Sequence, residues 1–137
     1  MSEQDNIDVV QNIYNDFKNG NIPGLLDKLD PNISWELPEM ANVPFAGKRN
    51  GRDAVAEFFR LVGISQEALR FEPIDFIAKD DRVVVLGTYE WRVLENGRTF
   101  GGNWAHVFTI QNGTVTDFLE YTDTAAAEHG YQKAMSA

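Results

Sequence analysis

Two Asn-Gly dipeptides, Asn96-Gly97 and Asn112-Gly113, constrain this chain more than any other feature of its sequence. Asn-Gly favours the positive φ angles of a type I′ turn, which joins neighbouring antiparallel strands in a tight hairpin. The segments around both dipeptides are rich in Val, Tyr, Trp, Phe and Thr, which fit a pleated, half-buried surface. The sequence therefore predicts a three-stranded antiparallel meander from Arg82 to Asp123.

Strand alternation predicts which side chains of the meander share a face. In the middle strand the bulky face consists of Phe100, Gly102, Trp104, His106, Phe108 and Ile110. In the strand before it the bulky face consists of Val83, Val85, Gly87, Tyr89, Trp91 and Val93. Two Trp, a Tyr and a His thus converge on one side of the sheet, and their polar tips favour a cavity wall over a dry core.

The rest of the sequence predicts helices before the meander and one short helix after it. The first helix is expected after a Ser2 or Asp5 cap. Further helices are predicted at 21–29, 55–62 and 125–134, and further strands at 33–37 and 69–78, the second bent or at an edge because of Pro73. Helices gathered early and strands late are typical of an α+β domain, with helices on one face of a curved antiparallel sheet.

Composition restricts the class of protein. The chain has 137 residues, enough for one domain, 1–137, with a single core. It contains no Cys and only two His, so neither a disulfide framework nor a metal site is expected. A net charge of −9 repels phosphate and anionic lipid, so neither nucleic acid nor a membrane is an expected partner. The first residues lack a signal-peptide pattern, and we expect a cytoplasmic location.

Several short segments, in their order and spacing, resemble the NTF2-like superfamily and, within it, the SnoaL-like and ketosteroid isomerase-like branch. They include Tyr14 and Phe17 before Asn19-Gly20-Asn21, and the segments 32–38, 45–47, 51–59, 106–113 and 120–123. The resemblance implies a cone, in which a strongly bent antiparallel sheet wraps around the N-terminal helices and leaves an internal pocket. It also implies cofactor-free chemistry and a homodimer formed through the outer face of the sheet.

The resemblance suggests roles for two residues, but the general base of the isomerases has no counterpart in this sequence. His106 corresponds to the protonated Asp with which the isomerases bind an oxyanion, and Tyr14 lies near their oxyanion tyrosine. The isomerases carry a general-base Asp directly before a Pro. Leu37 stands at that position, before Pro38, which argues against steroid isomerisation by the same route.

Two carboxylates near the end of the last strand are further candidates, and a regular strand cannot direct both to one face. Glu120 corresponds to a carboxylate of epoxide-hydrolase relatives, and Tyr121-Thr122-Asp123 matches the Tyr-x-Asp ending of many SnoaL-like chains. Apolar content alone would place Val115, Leu119 and Tyr121 on the core face. The register of the family instead directs Phe118, Glu120 and Thr122 inward. The remaining apolar residues then form an exposed row suited to a homodimer, namely Val115, Leu119 and Tyr121 with Val84 and Leu86.

These residues lead to two hypotheses about function. The predicted catalytic residues are His106, Glu120 and Asp123, and the predicted substrate contacts are Tyr14, Trp35, Tyr89, Trp91, Trp104 and Phe118. The first hypothesis is a cofactor-free isomerase, cyclase or lyase that uses acid–base chemistry on a small apolar carbonyl compound. The second is a non-catalytic module that binds a small apolar ligand or mainly forms a dimer. The structural alternative for His106 is a core histidine, and for Glu120 it is an ion pair with an Arg that only holds the strand.

Overall fold

The computed structural model of the chain describes residues 2–133 and combines helices with one six-stranded sheet. The helices are α1 (Glu3–Lys18), α2 (Ile22–Asp27), α3 (Arg52–Ser65) and α4 (Thr124–Gly130). The strands are β1 (Leu29–Glu36), β2 (Lys48–Asn50), β3 (Gln66–Lys79), β4 (Arg82–Val93), β5 (Thr99–Gln111) and β6 (Thr114–Thr122). The order across the sheet is β2-β1-β6-β5-β4-β3, so β3 is an edge strand.

Local signals account for the first two helices. The Ser2 hydroxyl accepts from the Asp5 N–H at 3.0 Å, and the Asp5 carboxylate accepts from the Ser2 N–H, so both predicted caps form one capping box. Asn21 caps α2 as predicted, by accepting from the Gly24 N–H at 3.1 Å. The predicted extent of α2 is wrong, because Leu29 already belongs to β1 and pairs with β6.

The predicted meander and its alternation are confirmed. Strands β4 and β5 pair in antiparallel fashion, as do β5 and β6. The large side chains of the predicted bulky faces are all buried: Val83, Val85, Tyr89, Trp91, Val93, Phe100, Trp104, His106, Phe108 and Ile110. Together with apolar residues of the helices they form one core on the inner face of the sheet.

The expectation of a wholly antiparallel sheet is wrong, because β1 pairs with β6 in parallel. The short strand β2 lies in a segment rich in turn residues, and its pairing with β1 was not predicted. One of the two turns also differs. Asn112 and Gly113 both have positive φ (54° and 78°), as a type I′ turn requires. Residues 94–98 form a longer loop in which only Gly97 has positive φ, and the Asn96 side-chain amide donates to the Gly130 carbonyl of α4.

A β-bulge determines which side chains of β6 face inward. Ile110 pairs with Val115, whereas Thr109 pairs with Asp117, so the extra residue lies at Thr116. The bulge changes the alternation within the strand, and Val115 is fully buried together with Phe118. The predicted outer position of Val115 is therefore wrong, while Leu119 and Tyr121 do lie on the outer face.

The remaining elements are the edge strand β3 and the last helix, α4. Strand β3 has a register shift between Pro73 and Asp75, as predicted for a bent edge strand. Thr124 was the cap available to the predicted last helix, but Asp123 caps α4, which ends at Gly130. The predicted extension to residue 134 lies outside the described residues. Among residues 2–133, no helix combines the length and the apolar character needed to cross a bilayer.

Candidate active site

A cavity lies between the inner face of the sheet, helices α1 to α3 and the segment that joins β1 to β2. The centres of water-sized molecules can occupy about 90 Å³ of it. At about 30 Å³ per water, this space corresponds to roughly three waters. Most of the wall is aliphatic or aromatic, and the polar residues in it are Tyr14, Gln66, Tyr89, His106, Glu120 and Thr122.

Three of these polar residues form one hydrogen-bonded chain. His106 and Glu120 are directly opposite each other on β5 and β6, and Nε2 of His106 lies 2.8 Å from Oε1 of Glu120. Nδ1 of His106 lies 2.7 Å from the hydroxyl of Tyr14 on α1. With an ionised Glu120 and a neutral imidazole, the carboxylate can only accept, so the imidazole proton lies on Nε2. Nδ1 then accepts a hydrogen bond from Tyr14.

The surroundings hold the imidazole in one orientation. His106 is 5% exposed, and its ring stacks on Trp104 at a centroid distance of 4.0 Å. The edge of Phe118 packs against it at 4.8 Å, and Phe118 itself stacks on Trp35 at 3.9 Å. A buried imidazole with both nitrogens bonded and two aromatic rings packed against it has little freedom to rotate.

Burial and the Glu120 charge keep the tyrosines of the site protonated. Desolvation, followed by the negative charge of Glu120, raises the pKa of Tyr14 well above its usual value. The same two causes, in the same order, raise the pKa of Tyr89. Tyr89 also forms a hydrogen bond with the hydroxyl of Thr122. Both phenols are therefore available as hydrogen-bond donors over the physiological pH range.

The structure brings most of the predicted site residues to one cavity. His106 and Glu120 lie there, as do the predicted contacts Tyr14, Trp35, Tyr89, Trp91 and Phe118.

Two predicted residues lie elsewhere. Asp123 is exposed, and its carboxylate accepts from the Ala126 N–H at 3.0 Å, because it is the N-cap of α4. Trp104 is buried behind His106, between that ring and Phe71, and does not line the cavity. Within residues 2–133 its indole N–H has no hydrogen-bond partner.

Sequence reasoning missed Gln66, a buried member of the cavity wall. The predicted strand began at residue 69, and a register shift between Ala68 and Arg70 breaks the alternation that could have carried the prediction back to Gln66. Leu37, at the position where the isomerases carry their base, is buried and lines the same cavity. The described residues contain no group of three or more His, Asp or Glu placed to hold a metal ion.

The fold is the NTF2-like fold, as comparisons with solved structures show. An NTF2-like protein from Burkholderia xenovorans is 32% identical, with a TM-score of 0.88, and the match covers 96% of this chain and 99% of that protein. A Burkholderia pseudomallei NTF2-like protein of unknown function is also 32% identical, with a TM-score of 0.87 and coverage of 97% and 100%. TerC, crystallised with polyporic acid, is 29% identical, with a TM-score of 0.82 and coverage of 94% and 99%.

The sequence pattern of the SnoaL-like domain matches residues 10–118. The chain therefore belongs to the SnoaL-like family, which confirms the resemblance described above. No protein with a curated description matches the chain.

Proposed function

We propose that this protein is a cofactor-independent acid–base enzyme, an isomerase, cyclase or lyase, that acts on a small, largely apolar carbonyl compound. The observation that carries the proposal is the chain from Tyr14 through His106 to Glu120 on the wall of an otherwise apolar cavity. Acid–base catalysis needs a group that can take a proton and return it, held close to the substrate. The apolar wall excludes water and so strengthens the interaction of this group with a developing charge.

The polarity of the hydrogen bonds supports proton abstraction through Tyr14. With the imidazole proton on Nε2, the phenol donates to Nδ1, and a lone pair of its oxygen is left for a substrate proton. As that proton reaches the Tyr14 oxygen, the phenolic proton moves to Nδ1 of His106. The resulting imidazolium lies between Tyr14 and the Glu120 carboxylate, whose charge stabilises it.

The same three residues provide the return step. After the transfer, His106 donates to the oxygen of Tyr14, so that the Tyr14 O–H points to the enolate. It stabilises the negative charge there and can return its proton to another carbon of the substrate. As that proton leaves, the Nδ1 proton moves back to the phenolic oxygen, and the site regains its starting state. No proton is gained or lost in the cycle, as an isomerisation or a ring closure requires.

The comparison with TerC supports an organic ligand for this cavity. TerC is 29% identical to this chain over most of its length and was crystallised with polyporic acid. We carry over only the general class, an organic molecule bearing oxygen. The mainly aromatic wall of the cavity suits the apolar part of such a molecule.

Deuterium exchange tests the proposal without knowledge of the substrate. Aryl ketones of one and two rings, beginning with alpha-tetralone, are incubated in heavy water, and loss of the proton next to the carbonyl is followed by NMR. The protein should accelerate the exchange, and His106→Phe should slow it by about 100-fold. Exchange at the buffer rate, with ketone binding detected in the same sample, would contradict the enzymatic function.

One observation favours the non-catalytic alternative. Leu37 contributes an aliphatic side chain to the cavity where the isomerases carry a carboxylate. In the alternative, Tyr14 and His106 orient a ligand by hydrogen bonds and no proton leaves it. Ligand binding that depends on His106, without exchange, is the result that this alternative predicts.

We further propose a homodimer formed through the outer face of the sheet. A row of apolar side chains crosses four strands there, because Ile77 pairs with Val84, Val84 with Val107, and Val107 with Leu119. Beside it, Leu86 and Tyr121 are 39% and 57% exposed. A second copy of the chain offers a surface of matching shape and polarity, as a two-fold contact requires.

A further inference from the structure

Gln66 is a buried polar residue in the cavity wall that the proposed chemistry does not use. It is 5% exposed and follows the last turn of α3, where it begins β3. Its backbone N–H donates to the Val62 carbonyl, so the main chain at this point is held by the helix. Burying a carboxamide is costly unless its groups have partners, and the partners of Gln66 are therefore informative.

One side of the Gln66 carboxamide is held by Tyr131, which follows α4. The Tyr131 hydroxyl donates to Oε1 of Gln66 at 2.6 Å. Burial raises the pKa of Tyr131 above its usual value, so the hydroxyl keeps its proton. The ring packs against Phe45 and Phe100, at centroid distances of 6.1 and 6.0 Å. The Tyr131 hydroxyl thus holds the carboxamide in place, and the packing of the Tyr131 ring holds the hydroxyl.

The other side of the carboxamide, Nε2, makes no hydrogen bond to another residue within 2–133. Gln66 lines the cavity. This nitrogen carries two N–H donors. An oxygen acceptor on a ligand is the group that they suit.

Gln66 and His106 lie at different ends of the cavity wall. His106 pairs with Val85 of β4, whereas Gln66 pairs with Val93, eight residues further along the same strand. Both residues nevertheless line the same cavity, so one ligand in it can contact both. Between them the wall is mainly apolar and includes the rings of Trp91 and Phe100.

We propose that Gln66 is a ligand-binding residue whose Nε2 donates a hydrogen bond to a carbonyl oxygen at one end of the ligand, while Tyr14 and His106 hold a hydroxyl or enol at the other end. Tyr131 is a positioning residue that aims the amide. The inference rests on the proposed function of this cavity and narrows the ligand class. It selects a flat apolar molecule of one or two rings that carries oxygen at both ends.

The test compares ligands with and without the second oxygen. Phenol, beta-naphthol and para-phenylphenol are each paired with the analogue that carries an aldehyde at the far end of the ring system. Calorimetry gives Kd for the wild type and the variants. For the pair whose length fits, we expect the aldehyde to bind the wild type about tenfold more tightly than the phenol. In that complex, the side-chain amide proton resonance of Gln66 should shift downfield.

Two variants separate binding from folding. Gln66→Met removes the amide and should abolish the aldehyde gain, while Kd for the phenol changes less than about twofold. Gln66→Glu retains an oxygen acceptor for Tyr131 but has no donor when ionised, so it should also lose the gain. Asn6→Leu is the matched control, because Asn6 is an equally buried amide outside the cavity, and this variant should retain the gain.

The possible failures are distinguishable. An aldehyde gain of the same size in the wild type and in both Gln66 variants would overturn the inference, as would the absence of a gain in the wild type for all three pairs. Failure of every compound to bind the wild type would overturn the ligand class with it. A gain that depends on Gln66, without proton exchange in any ketone, would support the inference and contradict the enzymatic function.

Discussion

The phenolic oxygen of Tyr14 lies 2.7 Å from Nδ1 of His106, although 92 residues separate the two in the sequence. The first helix and the middle strand of the meander thus meet at one hydrogen bond in the cavity wall. Tyr14→Phe removes this bond and preserves the ring, which packs against Phe76 and Phe108. Ketone exchange should fall about 100-fold. The free energy of unfolding should fall by about 1–3 kcal/mol, because the buried Nδ1 loses its hydrogen-bond donor. An unchanged exchange rate would show that the proton does not pass through Tyr14.

Removing His106 alone should destabilise the fold more than removing both His106 and Glu120. In His106→Phe the Glu120 carboxylate, with a side chain 12% exposed, loses its partner. We expect the free energy of unfolding to fall by about 2–4 kcal/mol. In the double variant His106→Phe/Glu120→Leu no charge is left unpaired, and at least half of the loss should return. Urea unfolding measures both changes, and a double variant less stable than His106→Phe alone would contradict this account.

The buried tyrosines should make the free energy of unfolding depend on pH in the alkaline range. The pKa values of Tyr14, Tyr89 and Tyr131 are raised in the folded state, in each case mainly by desolvation. Unfolding returns these phenols to a pKa of about 10. The stability that they contribute is therefore complete below about pH 10 and is lost as the pH rises toward their folded pKa values. The free energy of unfolding should fall above pH 10, less steeply in Tyr131→Phe than in the wild type.

The outer sheet face provides a test of the dimer. Tyr121→Lys places a charge in the apolar row and should convert a dimer at micromolar concentration to a monomer, as measured by sedimentation. Ile64→Lys is the control, because Ile64 is 60% exposed on the last turn of α3 rather than on a strand, and it should leave the dimer intact. A wild type that sediments as a monomer would contradict the proposal directly.

Variants at Asp123 can distinguish a structural role of this residue from a catalytic one. Its carboxylate caps α4, and Asn is an equally good N-cap. Asp123→Asn should therefore retain both stability and ketone exchange, whereas Asp123→Ala should lose about 1 kcal/mol of stability with the exchange retained. Loss of exchange in the Asn variant would show that the carboxylate is needed for more than the cap.

The sequence alone predicted features that depend on near neighbours. Alternation along β4 and β5 is a property of any extended chain, so the inward direction of Trp91 and His106 followed without knowledge of the partners. The caps at Ser2 and Asn21 were equally accessible, because each satisfies N–H groups within three residues of itself.

Tertiary structure decided what depends on the fit between distant segments. The bulge at Thr116 reverses the alternation of β6, and it is visible only in the pairing with β5. The parallel pairing of β1 with β6 likewise joins segments that are far apart in the chain. Asp123 became a cap rather than a site residue because α4 begins directly after it. Gln66 lies in the cavity wall beyond a register shift in β3. Alternation cannot predict the direction of a side chain beyond such an irregularity, because that direction depends on how the strands pair.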